Sequence, residues 1–171
     1  MVGQARRARL RLLERVTARE SRLARPAAGI NAMQLESDLV LKLHVEVGEP
    51  KLVGETGVGK LMIIPITGGS FEGEQLRGRV LPGGADWSTH LPNGVAHVHA
   101  RYWIETDDGA IIAVENEGFY NQNRADAMIR TTPRFTCDIN GKYAFLTRDV
   151  YVAELNSGGE NAVVILIYRL H

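Results

Sequence analysis

Apolar and polar residues alternate along much of the chain beyond residue 34, and this pattern predicts β-strands. In residues 38–47 and 95–106 every second residue is apolar, as in a strand with one buried face. Short apolar runs and turn signals, such as Asp107-Asp108-Gly109 and Asn140-Gly141, delimit further strands. The predicted strands are residues 38–47, 61–66, 76–81, 95–106, 110–118, 129–137, 143–155 and 162–170.

These strands follow one another at hairpin spacing, and no helical pattern alternates with them. The sequence therefore predicts an all-β protein, a single antiparallel β-barrel of about 8–10 strands, which closes on itself and so removes exposed sheet edges. We expect the barrel to span residues 34–171. A barrel of about eight strands has room inside for one small ligand.

Residues 1–33 form a separate basic extension, predicted to be helical or disordered. Residues 1–32 contain eight Arg against two Glu, a net charge of +6, which the rest of the chain balances. Three interpretations stay open: a dispensable extension, an organellar transit peptide, or an arm that binds nucleic acid or a membrane surface. The extension would also be explained if Met33 were the true start and the sequence had been read from a start upstream of it.

Composition limits the partners and the compartment. Cys137 is the single cysteine of the sequence, so it has no partner for an internal disulfide, and the cytoplasm is the simplest location, with organellar targeting by residues 1–32 as the alternative. No apolar run reaches 18 residues, so no transmembrane helix is predicted. Residues 162–170 are apolar on both faces, and we therefore expect a partner outside the wall, either the N-terminal helix or another subunit of a homo-oligomer. A nucleic-acid partner for the barrel is not expected.

The main candidate chemistry lies on one face of strand 95–106. His97, His99 and Arg101 share that face, with Asp86 and Trp87 before the strand and Glu115 or Asn116 after it. We expect this face to point inward, because an outer face carrying Trp103 would itself need an explanation. An enclosed carboxylate among imidazoles and Arg would have the shifted pKa values that acid–base catalysis requires. If the face points outward, the same residues form a solvated surface.

Two further features carry weaker signals. The His-x-His pair could bind a metal, but no spacing fixes a third ligand among Asp86, His90 and Glu115, so no metal site is predicted. Arg134 and Phe135 follow Pro133, and an Arg beside an aromatic ring can hold a carboxylate or enolate oxygen. An exposed Arg on an edge strand explains the same pattern.

The order of several segments resembles a known family. GGADW, ARY, DDGA and PRF, at residues 83–87, 100–102, 107–110 and 133–135, occur in the order seen in the small bacterial and fungal proteins known as domain of unknown function 3237. The resemblance covers about residues 36–170 and implies an oligomeric antiparallel β-barrel with no established general activity. The matching positions are Gly83, Gly84, Asp86, Trp87, Arg101, Tyr102, Asp108, Gly109, Arg134 and Phe135. His97 and His99 lie outside the shared pattern.

The leading functional hypothesis is an enzyme that binds a small oxygenated molecule and performs an acid–base step without a cofactor. Asp86 would transfer the proton, and Arg101 and Arg134 would stabilise an oxyanion. The expected ligand contacts are Trp87, His99, Tyr102, Glu115 and Phe135. One alternative is a non-catalytic carrier in which Asp86 pairs with Arg101; another is an interaction protein that uses the basic arm.

Overall fold

A computed structural model of the chain describes residues 34–124 and 128–171, and the expectations for residues 1–33 lie outside this range. The described residues form ten strands and one short 3-10 turn at Ala144–Thr147. The strands are β1 (Ser37–Val47), β2 (Lys51–Glu55), β3 (Lys60–Glu72), β4 (Arg77–Val80), β5 (Ala85–His90), β6 (Val95–Thr106), β7 (Ile111–Asn121), β8 (Ile129–Thr136), β9 (Tyr151–Ser157) and β10 (Ala162–Leu170).

The strands form one antiparallel sheet that closes into a barrel. Its order is β1-β10-β9-β8-β7-β6-β4-β3-β2, and an additional pairing between β1 and β3 closes the ring. The strands β4 and β5 occupy one position in the wall, because both pair with β3 on one side and β6 on the other. The predicted all-β antiparallel barrel is confirmed.

The inward side chains fill one end of the barrel. Ile104 lies opposite Ile112 in the β6–β7 pair, and Leu41 lies opposite Ile167 in the β1–β10 pair. All four are almost completely buried. Full burial of such side chains contributes about 1.5–3 kcal/mol each. This end of the barrel is therefore a packed core, and space for a ligand has to be sought toward the other end.

The prediction of one continuous strand over residues 143–155 is wrong. Hydrogen bonds from Leu146 N to Tyr143 O and from Arg148 N to Phe145 O have the i to i+3 spacing of a 3-10 turn. Tyr143 and Leu146 are both buried at that spacing, so they pack against the core from a turn. The strand β9 begins only at Tyr151.

Two strands were missed. The strand β5 lies between the predicted strands 76–81 and 95–106, and its polar residues Ser88, Thr89 and His90 give no strand pattern. It pairs with β3 and β6 on its two sides, so backbone hydrogen bonds form it in spite of those side chains. The strand β2 pairs with β3 and has largely exposed side chains, which leaves little hydrophobic pattern to detect.

The outer face of β10 is half-buried rather than buried. Val164, Leu166 and Tyr168 alternate with the buried inward residues Ile165 and Ile167 and keep part of their surface exposed. The expected oligomeric partner for this face stays a prediction. Within the described ranges no helix has the length and hydrophobicity to cross a membrane.

Candidate functional site

Asp86 points into the barrel from β5. Its Cα lies opposite that of Ala100 on β6, and its Oδ1 accepts a hydrogen bond of 2.8 Å from the backbone N–H of His99. Burial raises the pKa of the Asp86 carboxyl, while the His99 hydrogen bond and the nearby imidazoles act in the opposite direction. The carboxyl is thus held in a setting that shifts its protonation toward the neutral form.

Two glycines allow the turn before β5 to pack closely against β6. Gly83 has φ +112°, and a Cβ there would lie 2.7 Å from the indole of Trp103. A Cβ on Gly84 would lie 2.5 Å from the Cβ of Tyr102. Only glycine allows both the backbone angle at 83 and the close approach at 84, and β5 starts at the next residue.

Asp86 lines a cavity of about 130 Å³ toward the end of the barrel away from the packed core. Most of its wall is apolar: Val45, Val47, Ile64, Ile66, Val98, Ala100, Leu155, Val163 and Ile165. Its other lining residues are Asp86, Tyr102, Asn116 and Thr131. An apolar chamber with a few convergent polar groups is the usual form of a small-molecule site.

Three of these polar groups have no hydrogen-bond partner within the described part of the chain. They are the Tyr102 hydroxyl, the Asn116 Oδ1 and the Thr131 hydroxyl, and each residue is at most 3 % exposed. Most buried polar side-chain atoms in proteins are hydrogen-bonded, so an unpaired one calls for a specific explanation. Three on one cavity wall indicate a place where polar ligand atoms would complete the hydrogen bonding.

The register places these groups along the wall. Ala100 lies between Asp86 on β5 and Asn116 on β7, opposite both of them. Since neighbouring strands are about 4.8 Å apart, the Cα atoms of Asp86 and Asn116 are separated by about 10 Å. The small methyl group of Ala100 leaves the space between the carboxyl and the amide open.

The expectation that His97, His99 and Arg101 face inward is wrong. The opposite face of β6 carries Val98 and Tyr102, both buried, whereas Arg101 is exposed. Burying apolar surface is favourable, but burying an unpaired guanidinium is costly. The face of β6 with Val98 and Tyr102 therefore points inward, and the face with Arg101 points outward. Arg101 therefore lies on the other side of the wall from Asp86.

The outward residues form a ladder of ion pairs across β6, β7 and β8. His99 Nε2 lies 2.7 Å from Glu115 Oε1, and His97 Nε2 lies 2.8 Å from Glu117 Oε1. The Arg134 guanidinium lies 3.9 and 3.6 Å from the two carboxylates. The pKa of Glu115 is lowered, chiefly by the hydrogen bond from His99 and further by the charge of Arg134. Partial desolvation acts in the opposite direction and is outweighed. Such cross-strand pairs stabilise a sheet surface.

The remaining predicted residues also lie away from the cavity. Trp87 is outside, on the face that includes His99, and is 39 % exposed. Phe135 points inward but packs edge-on against Tyr151, with ring centroids 5.2 Å apart, in the filled part of the barrel. Of the eight predicted site residues, the cavity brings together Asp86 and Tyr102, whereas Arg101, Arg134, Trp87, His99, Glu115 and Phe135 do not line it.

Sequence reasoning missed two of the polar lining residues as site members. Asn116 was considered only as a neighbour of the histidine row, and the β6–β7 register would have placed it opposite Ala100. Thr131 carries no signal in the sequence beyond its place in a predicted strand. No group of three or more His, Cys, Asp or Glu able to hold a metal ion occurs among the described residues.

Comparison with known proteins establishes the family. The family described as "Protein of unknown function (DUF3237)" matches residues 35–170. The chain belongs to the DUF3237 family. This DUF3237 member is 34 % identical over 144 residues to the UPF0311 protein blr7842 of Bradyrhizobium diazoefficiens, covering 76 % of this chain and 93 % of that one. The matches to UPF0311 proteins of Rhodopseudomonas palustris and Clostridium acetobutylicum span about half the length of those relatives.

Solved structures share the fold. A conserved Rhodopseudomonas palustris protein of unknown function, RPA1785, is 32 % identical and covers 82 % of this chain and all of its own, with a TM-score of 0.74. An enzyme from Penicillium herquei is 20 % identical and covers 84 % of this chain and 99 % of its own, with a TM-score of 0.68. The second likeness concerns the fold alone. The DUF3237 chain is thus a β-barrel of a family whose function is unknown.

Proposed function

We propose that this DUF3237 protein is an enzyme that binds a small oxygenated molecule inside the barrel and catalyses an acid–base step on it. Isomerisation, dehydration and cyclisation are the reaction types that such a step serves. The observation that carries the proposal is the cavity in which Asp86 is accompanied by the unpartnered polar groups of Tyr102, Asn116 and Thr131.

Asp86 is the proposed proton-transfer group. Burial raises the pKa of the Asp86 carboxyl, which makes it easier for the group to hold the proton that an acid–base step passes between it and the ligand. A positioned acid or base contributes about 10²- to 10⁴-fold to the rate of such a step. Because Asp86 carries the proton in this scheme, the proposed step has no need of a cofactor.

Tyr102 and Thr131 take the part that was first assigned to Arg101 and Arg134. Burial raises the pKa of Tyr102, so the hydroxyl stays protonated and can donate a hydrogen bond. Donors aimed at an oxygen on which negative charge develops stabilise the transition state, typically by about 10²- to 10³-fold per donor. In this proposal the Tyr102 hydroxyl donates to the reacting oxygen beside Asp86, and the Thr131 hydroxyl holds a second oxygen of the ligand.

A non-catalytic carrier is the second candidate, and the largely apolar lining favours it. Nine of the thirteen lining residues are aliphatic, which suits retention of a ligand as well as its conversion. In a carrier Asp86 would be one polar contact among four. The two proposals differ in what Asp86→Asn does, since a carrier needs no proton transfer.

The test begins with native mass spectrometry of protein purified from its own source, followed by denaturing release of what is bound. The released compound is incubated with fresh wild-type protein in D₂O, and isomer formation, loss of water and deuterium incorporation are measured. We expect turnover by the wild type and a loss of at least about 100-fold in Asp86→Asn, with binding retained. Asp149→Asn, at a site outside the cavity, is the matched control.

Full turnover by Asp86→Asn would overturn the catalytic role. A compound that binds tightly but neither rearranges nor exchanges hydrogen would favour the carrier. The homo-oligomeric state and the cytoplasmic location stay predictions, and the subunit number can be read from the same native spectra.

A further inference from the structure

The polar atoms of the cavity define which hydrogen bonds a ligand has to supply. The hydroxyls of Tyr102 and Thr131 can each donate and accept, whereas Asn116 Oδ1 only accepts. All three lack partners in the described part of the chain. A molecule that completes this set offers a donor to Asn116 and acceptor oxygens to the two hydroxyls.

These groups are too far apart along the wall for one ligand oxygen. Asp86 is on β5, Tyr102 on β6, Asn116 on β7 and Thr131 on β8, in neighbouring positions of the wall. At about 4.8 Å per strand, the Cα atoms of Asp86 and Thr131 are about 14 Å apart along the curved wall. The closed wall turns both side chains toward one cavity, but both side chains are short. One oxygen group would serve the Asp86 and Tyr102 side, and a second would serve the Asn116 and Thr131 side.

The charge of the lining points to an uncharged ligand. None of the described residues that line the cavity is Lys, Arg or His, and its ionisable groups, Asp86 and Tyr102, become negative when they ionise. An anion would therefore meet no cation inside. A cation could pair with Asp86, but removing an ammonium from water into an apolar wall is costly, and the two hydroxyl donors would still need acceptors.

The volume sets the size. An engineered apolar cavity of about 150 Å³ takes up benzene, a six-membered ring. The cavity here has about 130 Å³, which suits a core slightly smaller than benzene. The contacts with the aliphatic residues then cover the hydrocarbon part of the ligand.

From these constraints we infer that the cavity takes an uncharged, compact molecule, about one five-membered ring in size, with two oxygen groups of which at least one is a hydroxyl. This names the ligand class of the site in the proposed function and rests on that proposal for the location. It makes no assumption about whether Asp86 catalyses a reaction.

The test uses five probes with one ring: cis-cyclopentane-1,3-diol, cyclopentanol, cyclopentane, cyclopentanecarboxylate and cyclopentylamine. Affinities are measured by NMR titration, following the methyl signals of Val45, Val98 and Ile165, which line the cavity. We expect the diol to bind about 3- to 10-fold more tightly than cyclopentanol, because each satisfied hydrogen bond is worth about 0.5–1.5 kcal/mol. The carboxylate and the amine should bind at least about 10-fold more weakly than the diol.

Hydroxyl-deletion variants give the sharper comparison. Thr131→Val and Tyr102→Phe keep the shape of the wall and should each weaken the diol about 3- to 10-fold while leaving cyclopentane unchanged or tighter. The control is Thr132→Val, on the same strand with an exposed side chain, and it should change neither affinity.

The inference is overturned if cyclopentylamine binds best, which would make the cavity a cation site, or if both hydroxyl deletions leave the diol affinity unchanged. In those two cases the cavity still binds small molecules, and the proposed function keeps its site. If none of the five probes shifts the cavity methyl signals at millimolar concentration, the location fails as well, and both proposals fall. If the diol binds as tightly as expected and Asp86→Asn keeps full turnover, only the catalytic role of Asp86 is refuted, and the ligand class stands.

Discussion

Removing a hydroxyl from the barrel interior should make the ligand-free protein more stable. The perturbations are Tyr102→Phe and Thr131→Val, each of which deletes a buried oxygen that has no hydrogen-bond partner in the described part of the chain. Thr→Val in a core normally destabilises, because the group that was hydrogen-bonded to the hydroxyl is left unpaired. Here the wild-type hydroxyls already bear the cost of lost hydration, so the sign should reverse.

The magnitude follows from the burial of the two residues. Both are 3 % exposed, so the hydroxyls have lost nearly all contact with water, and an unpaired buried hydroxyl costs about 1–3 kcal/mol in mutational data. Part of this gain is offset by lost dispersion contacts where the oxygen was. We expect each variant to gain about 1 kcal/mol, which corresponds to a rise in Tm of about 3–5 °C for a domain of this size.

Urea unfolding of ligand-free protein at pH 7 measures this directly. The midpoint should rise in both variants with an unchanged m-value, since the surface exposed on unfolding is almost the same. Thr132→Val, with its exposed side chain, should stay within about 0.5 kcal/mol of the wild type. A loss of about 1 kcal/mol in both cavity variants would mean that these hydroxyls have partners in the native protein, and the reasoning from unpaired groups would be refuted.

Three other predictions concern single residues. Asp86→Asn should be more stable than the wild type at pH 7 and equal to it in acid. A raised pKa means that folding opposes ionisation of the carboxyl, so the wild type loses stability as the pH rises above the usual pKa of 3.8. Equal stabilities of the two proteins at all pH values would contradict this. Asp108, which accepts hydrogen bonds from Thr106, Tyr143 and Lys142, has a pKa lowered to about 2. Asp108→Asn should therefore lower the urea midpoint at pH 7, and its deficit should vanish as the pH falls from about 4 to about 2; a constant deficit would count against the carboxylate's role. Gly84→Ala should lose about 1–3 kcal/mol because its Cβ would press on Tyr102, whereas Gly57→Ala, with open space around it, should be nearly neutral; equal effects would contradict the close approach.

Alternation predicted the long strands well where one face is consistently apolar. The strands β1 and β6 were placed within one residue of their observed bounds, because every second side chain enters the core. The pattern failed at β5, where backbone pairing on both sides holds polar residues in a strand. It failed again at Tyr143 and Leu146, where the apolar residues were included in a long strand but are buried from a 3-10 turn.

Alternation also left the direction of β6 open, and Trp103 lies on the outer face of the wall, although it was expected inside. Its indole lies against Gly83, where a Cβ would approach it to 2.7 Å. The glycine turn thus covers part of the ring from outside the barrel, and an outward Trp103 needs no buried pocket. This contact joins residues far apart in sequence and carries no local signal.

Two of the four polar residues that line the cavity were predicted from the sequence, and two were not. Asp86 was predicted from its position after a glycine turn, and Tyr102 from its place in the motifs shared with the resembling family; both line the cavity. Asn116 and Thr131 join them only through the register of β7 with β6 and β8. Register depends on the pairing of whole strands, so no pattern within one strand reveals it.

The central claim is that the barrel interior is a small-molecule site containing Asp86. The measurement that tests it most directly exposes the protein to a small-molecule extract of its source cells, removes unbound material by gel filtration and identifies retained compounds by mass spectrometry. The comparison is with Ala100→Leu, which fills the space between Asp86 and Asn116, and with Ala113→Leu on the exposed face of β7 as the control. We expect at least one uncharged compound to be retained by the wild type and by Ala113→Leu but lost from Ala100→Leu. Retention of the same compounds by all three proteins, or of none by the wild type, would contradict it.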